Sequence, residues 1–163
     1  MSKHENITEK FWKALDDSPF VMLGLSGVDQ AHTQPMTAQI DKNLNDCLYF
    51  FTNKQNRLVQ SLSDSHSGVI NFSAKNHSLF ACVHGSMKVD NDQAIIDKFW
   101  SPVVGAWYEG GKDDPNLCML RFDLDSAEIW DASAINFMKA MVAGFFGDGA
   151  DEETTDDVVS IKF

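Results

Sequence analysis

The chain predicts a mainly β fold of the α+β class: six or so mostly antiparallel strands forming a small barrel, with a few covering helices. Three observations carry that prediction. Apolar runs of strand length recur as FVMLGLSG, TQPMTAQID, CLYFFTN, GVINFSA, SLFACVHGSMKV and LCMLRFDLDSAEIWD, set apart by Gly, Pro, Asn and Asp. Helical patterns fall between groups of strands without regular alternation, which argues against a doubly wound parallel sheet. A meander of this kind leaves edges unless it closes on itself, and barrels close. With 163 residues, 44% of them hydrophobic, the chain is long enough for one domain with a real core.

The elements follow in order. Ile7, Phe11, Trp12 and Leu15 stand at helical spacing, with Asn6 as N-cap and Glu9 three residues on, so the chain opens with an amphipathic helix to Asp16. After Pro19, FVMLGLSG, TQPMTAQID and CLYFFTN read as a three-strand meander, the last two joined by the turn at Asn43 to Asp46. Asn56 to Asp64 has Leu58, Val59 and Leu62 on one side and reads as a short helix covering the sheet. GVINFSA and SLFACVHGSMKV form a hairpin about Lys75-Asn76-His77, and Gly85 marks a bend or bulge. DNDQAIIDKFW suits a capped helix stopped by Pro102, and VVGAWYEGGKDDPN reads as a loop before the long strand LCMLRFDLDSAEIWD. Ala132 to Gly147 carries a wide apolar helical face. Residues 1–147 are thus read as the domain and 148–163 as an acidic C-terminal tail, whose apolar end VVSIKF is free to dock.

Composition excludes several partners. Thirteen Lys and Arg against 24 Asp and Glu give a net charge of −11, a field that repels phosphate backbones and anionic lipid, so neither nucleic acid nor a membrane is expected. No apolar run approaches a bilayer span, and the acidic N-terminal stretch lacks a signal-peptide core, so the expected location is cytoplasmic. Cys47, Cys82 and Cys118 form no CxxC pair and sit in strand-like runs, which reads as reduced, buried thiols. The five histidines lack the spacings of metal-ligand pairs, and Asp113-Asp114-Pro115 reads as an acidic turn more readily than as a catalytic carboxylate pair.

Arginine is scarce, and Arg57 is the informative one. It stands at the start of a short helix just after Phe50-Phe51-Thr52-Asn53, where a hydroxyl, the amides of Asn53 and Asn56, and a guanidinium can converge on one anion. A plain helix cap with a surface arginine accounts for the same residues. The aromatic cluster Trp100, Trp107, Tyr108 and Trp130 is open in the same way, as core or as stacking surface for a planar ligand.

In combination, PMTAQID with LYFFTNKQNRLVQSL, VHGSMKVDNDQAIIDKFW and WSPVVGAWYEGGKDDPNLCMLRFDLDSAEIWD resemble the pyridoxamine 5'-phosphate oxidase-like, FMN-binding split barrels, and among them the bacterial general stress proteins. The resemblance implies a homodimeric antiparallel split barrel of six strands with FMN at the interface. It implies that Thr52, Asn56 and Arg57 hold the phosphate, that Met36, Ala38, Phe50 and Phe51 line the flavin, and that Trp107 and Trp130 approach from the partner. It leaves FAD or a deazaflavin open.

The chain departs from that pattern at two points, with Gln34 before the Pro-Met pair and Leu58 after the phosphate-binding turn, where many relatives are basic. Losing one charge-assisted contact costs roughly 1.5 to 3 kcal/mol, one to two decades of affinity, so weak FMN binding is expected. Asp131-Ala132-Ser133 follows Trp130 where pyridoxamine 5'-phosphate oxidase itself carries an Arg-His segment, so that enzyme's activity is not expected. The function implied is a flavin-dependent oxidoreductase of unknown substrate. A non-catalytic flavin-binding or sensing protein, and a dimeric scaffold with a vestigial site, stay open beside it.

Overall fold

A serine with a glutamate three residues on starts the first helix. Ser2 Oγ accepts from the Glu5 amide at 3.1 Å and Glu5 accepts from the Ser2 amide at 2.7 Å, a reciprocal cap that opens α1 (Lys3–Asp17). The predicted start at Asn6 is corrected by this pair, which repeats the same spacing about one turn earlier and leaves Asn6 and Glu9 inside the helix. Ile7, Phe11 and Leu15 form its buried face, as the spacing predicts.

The structure, a computed structural model, describes residues 2–28, 32–132 and 158–163. After α1 come β1 (Phe20–Leu25), β2 (Gln34–Thr37), β3 (Cys47–Asn53), α2 (Arg57–Ser61), β4 (His66–Ser73), β5 (Leu79–Val89), α3 (Gln93–Phe99), α4 (Pro102–Gly105), a 3-10 turn (Gly111–Asp113), β6 (Leu117–Asp131) and β7 (Val158–Lys162). The helix read at Ala132 to Gly147 and the acidic stretch 148–157 lie almost wholly outside the described residues.

All pairings are antiparallel, in the order β2-β1-β4-β5-β6-β3, with β7 also on β6. Three expectations are corrected here. The sheet has seven strands rather than six, because VVSIK alternates Val159 and Ile161 inward with Ser160 and Lys162 outward and pairs with the second half of β6. The first three strands are no meander, since β3 leaves its sequence neighbours and pairs with β6 from Cys47↔Asp123 to Asn53↔Leu117. Nor does the barrel close by a ladder. Among the described residues, beyond Thr37 the two ends of the path meet only at an isolated bridge, where Gln39 N donates to Tyr49 O at 2.7 Å and Tyr49 N returns a bond to Gln39 O at 3.1 Å.

The hairpin β4–β5 and the long β6 form as read. His77 takes the left-handed conformation at the hairpin turn, with φ 58°. The β5–β6 register shifts between His84 and Gly85, and a Cβ at Gly85 would lie 2.0 Å from the Asp123 carbonyl, so only glycine fits the bulge. Packing then divides in two. Phe11, Leu15, Leu23, Leu48, Phe50, Ile70, Val83, Leu120 and Phe122 belong to the main core, which α1 helps cover. Cys47, Tyr49, Leu117 and Met119 join Ile96 and Tyr108 in a smaller core on the opposite face of β3 and β6, against α3 and the segment after α4. Both faces of that half of the sheet are therefore buried, which is why CLYFF and LCMLRF read as unbroken apolar runs.

The cysteines are free, Cys47 and Cys118 buried and Cys82 only partly so; burial pushes all three thiols above their ordinary range. Lys98 on α3 pairs with Asp41, and that ammonium and the Asn43 amide hold the Asp41 carboxyl below its usual range. Pro102 does not merely stop a helix. It is the first residue of α4, whose cap Ser101 accepts from Val104 N at 3.2 Å, so part of the predicted loop is helical.

Candidate functional site

Where β2, the end of β3 and α4 come together they enclose a cleft of about 600 Å³. Pro35, Met36 and Thr37 form one wall; Phe51, Thr52, Asn53 and the helix cap Asn56 form the floor and one corner; Ser101, Val103, Val104, Trp107 and Tyr108 form the other wall. Half-buried Val104 packs on the smaller core, and the rings flanking α4 anchor it on both sides. Trp100 packs edge-on to Phe51 at 6.0 Å and lies 6.1 Å from Tyr108, while Tyr108 Oη donates to the Thr52 carbonyl at 2.6 Å. Burial pushes the Tyr108 phenol up to about 12, so it stays a proton-bearing donor at neutral pH.

The cleft's lining carries no Asp, Glu, His, Lys or Arg among the described residues. Charge enters only beside it. Asn56 caps α2 by accepting from Leu58 N at 2.9 Å, Gln34 Nε2 donates to the same Asn56 oxygen at 3.0 Å, and Arg57 reaches back to Gln34 Oε1 at 3.3 Å and to the His32 carbonyl at 2.8 Å. Residues from two separated segments thus build one hydrogen-bonding corner. Next to it the walls are apolar and open: Phe20 is 66% exposed, Val103 75% and Trp107 81%.

Of the nine residues singled out in the sequence, Met36, Phe51, Thr52, Asn56 and Trp107 line this cleft. Arg57 stands next to it, tied in through Gln34. Trp107, expected from a second copy, lines the cleft of its own chain. Ala38 and Phe50 lie in the main core, and Trp130 is half-buried on β6 opposite Phe80 and Val158, away from the cleft. Sequence reasoning missed Thr37, Val103 and Phe20, and it placed Tyr108 in an aromatic cluster without assigning it to the site. The Ser-Pro start of α4 was the available signal for Val103, because a cap followed by proline begins helices as well as ending them. Asp114 is a turn residue, its carboxylate accepting from Gly110 N at 2.9 Å and Asn116 N at 2.8 Å, which holds its pKa low.

The family model described as pyridoxamine 5'-phosphate oxidase like matches residues 6–148. The chain belongs to that family. Several pyridoxamine 5'-phosphate oxidase-like relatives are similar to it. General stress protein 26 of Bacillus subtilis (strain 168) is 36% identical over 50 residues, which is 31% of this chain and only 35% of that protein's length. The crystal structure of a general stress FMN/FAD binding protein from Xanthomonas citri is 48% identical, covering 79% of this chain and 91% of the other with a TM-score of 0.75. A general stress protein 26 structure from Jannaschia sp. CCS1 is 26% identical over 98% of this chain and 99% of its own, with a TM-score of 0.74. Among the described residues no helix is long and apolar enough to cross a membrane.

Proposed function

We propose that this pyridoxamine 5'-phosphate oxidase-like chain is a cytoplasmic general stress protein that binds FMN as a homodimer and serves as a flavin-dependent oxidoreductase. The observation that carries the reading is a single juxtaposition: an uncharged, largely apolar cleft of about 600 Å³ ending in a corner of amide and guanidinium donors. A planar ring with a phosphate tail needs those two environments side by side, and the volume suits a cofactor. The Xanthomonas citri relative, a general stress FMN/FAD binding protein, supports the same ligand class.

Each part of the site has a task that its chemistry suits. Met36, Phe51 and Trp107 offer apolar and aromatic surface that excludes water from a ring system, and Thr52, Asn56 and Arg57 offer donors to the phosphate. Tyr108 fixes the Thr52 backbone through its phenol and so sets where the floor lies relative to α4. When bound, the flavin supplies the electron transfer, and the protein supplies position and electrostatics. The exposed Phe20, Val103 and Trp107 on the rim form an apolar surface that a second copy would cover, which supports the dimer, and three free cysteines support a reducing compartment.

The test is the visible absorption spectrum of the purified protein after incubation with FMN and removal of free ligand by gel filtration. Retained flavin is expected; no retention, together with no change in flavin fluorescence on titration, would overturn the reading. Reduction of the bound flavin by NADH or NADPH separates an oxidoreductase from a protein that binds without turnover. Light scattering should give twice 18.2 kDa.

A further inference from the structure

Two groups at the corner of the cleft can only donate hydrogen bonds: the Leu58 backbone N–H and the Arg57 guanidinium. Leu58 N donates to Asn56 Oδ1, and Arg57 Nε donates to Gln34 Oε1. These two donors fix which end of each amide carries oxygen, a choice that atomic positions alone leave open. Gln34 Nε2 must then face Asn56 Oδ1, at 3.0 Å, with Met36 Sδ at 3.5 Å on its other side. Every polar atom of the Gln34 side chain therefore has a partner within the chain. Among the described residues, what the corner still offers is Asn56 Nδ2, beside a cleft that Asn56 lines, and the guanidinium N–H groups not engaged by Gln34 or the His32 carbonyl.

We propose that Gln34 is a positioning residue for phosphate recognition: it locks the Asn56 amide and the Arg57 guanidinium into one polarity, so that the corner presents donors and no acceptor. That is the complement of an ionised phosphomonoester, whose terminal oxygens only accept. Gln34 is then not a weakened ligand standing where relatives carry a basic side chain. It organises two ligands from a neighbouring strand, and the single arginine acts from a fixed place. The proposal rests on the flavin reading for the identity of the phosphate's carrier.

The experiment compares FMN with riboflavin, which has the same ring and no phosphate, on the wild type, Gln34→Ala and Gln34→Glu. The wild type should prefer FMN. Gln34→Ala should lose about tenfold in FMN affinity with riboflavin affinity unchanged. Gln34→Glu should lose more, because its carboxylate sets an acceptor against Asn56 Oδ1 and neutralises Arg57. A preference for FMN that survives in both variants overturns the proposal, and so does an equal loss for both ligands, which would signify a structural role only. If the wild type binds neither flavin, the flavin reading fails, and inorganic phosphate decides this one. Protection of the wild type against thermal unfolding by phosphate, absent in Gln34→Glu, supports it; equal protection, or none in the wild type, overturns it.

Discussion

One tryptophan lies on α1 at one end of this molecule and another just after α4 at the other, and they are covered to different degrees. On α1, Trp12 packs 5.3 Å from Phe11 and 6.2 Å from Phe163, and Phe11 beneath it is 0% exposed and also meets Phe72. At the other end α4 has no buried residue of its own, and Trp107 just after it is 81% exposed. The sealed end shows what this sequence does with an aromatic ring whose role is stability. At the open end an indole lies beside a cleft, just after a short helix, and the proposed flavin site gives that ring a task other than core packing.

The contrast can be broken at the sealed end. Phe11→Ala should remove about 3 to 5 kcal/mol of stability by leaving a cavity under α1, measured by urea unfolding. A loss below about 1 kcal/mol would mean that α1 is a loose cover. Between the two ends, Gly85→Ala forces a Cβ to within 2.0 Å of the Asp123 carbonyl and should cost about 1 to 3 kcal/mol, affecting both ends because the bulge lies in the shared sheet.

At the open end, Tyr108→Phe removes the bond to the Thr52 carbonyl and should cost about 1 kcal/mol while weakening FMN binding. The same phenol sets an alkaline limit. Tyr108 is raised to about 12 and Tyr49 is raised as well, so in the folded protein the neutral forms are favoured. The Tyr108 contribution is fully present below the ordinary value of 10 and is lost as pH rises toward 12. Absorbance titration of the chain's two tyrosines should accordingly show both native phenols ionising above the ordinary value, Tyr108 last. Smallest in stability is Trp107→Ala, within about 0.5 kcal/mol of wild type in unfolding yet with reduced FMN retention. Unchanged retention would remove the distinction between the two indoles.

Much of this was legible from residue pattern. Hairpin β4–β5, the bulge at Gly85 and the 15-residue β6 follow from alternation and glycine placement. The parity of β3 was not. CLYFF is apolar on both faces because two cores use it, so nothing in the run distinguishes Phe51, which faces the cleft, from Phe50, which does not. A helix of four residues leaves no period to detect, which hid α4 and with it the bond from Tyr108 to the Thr52 carbonyl. Gln34 could be read only as a missing charge, because its partners Asn56 and Arg57 lie 22 and 23 residues away and side-chain networks of that span leave no local trace. Lack of closure belongs to the same class, since register at a seam depends on where the chain leaves β2.

One edge of β6 is shared by β3 along residues 117–123, by Asp46 at Leu124, by Phe163 at Asp125 and by β7 along 126–130. That arrangement carries a cost during biogenesis. β6 ends at Asp131 and its last partner begins only at Val158, so until that segment docks the edge over residues 126–130 stands unpaired. An unpaired edge accepts any strand of suitable pattern, including the 158–162 segment of a neighbouring chain on the same message. Expression yield of this protein should therefore depend on how quickly that last strand arrives, and slow synthesis should favour strand-exchanged assemblies over the folded chain.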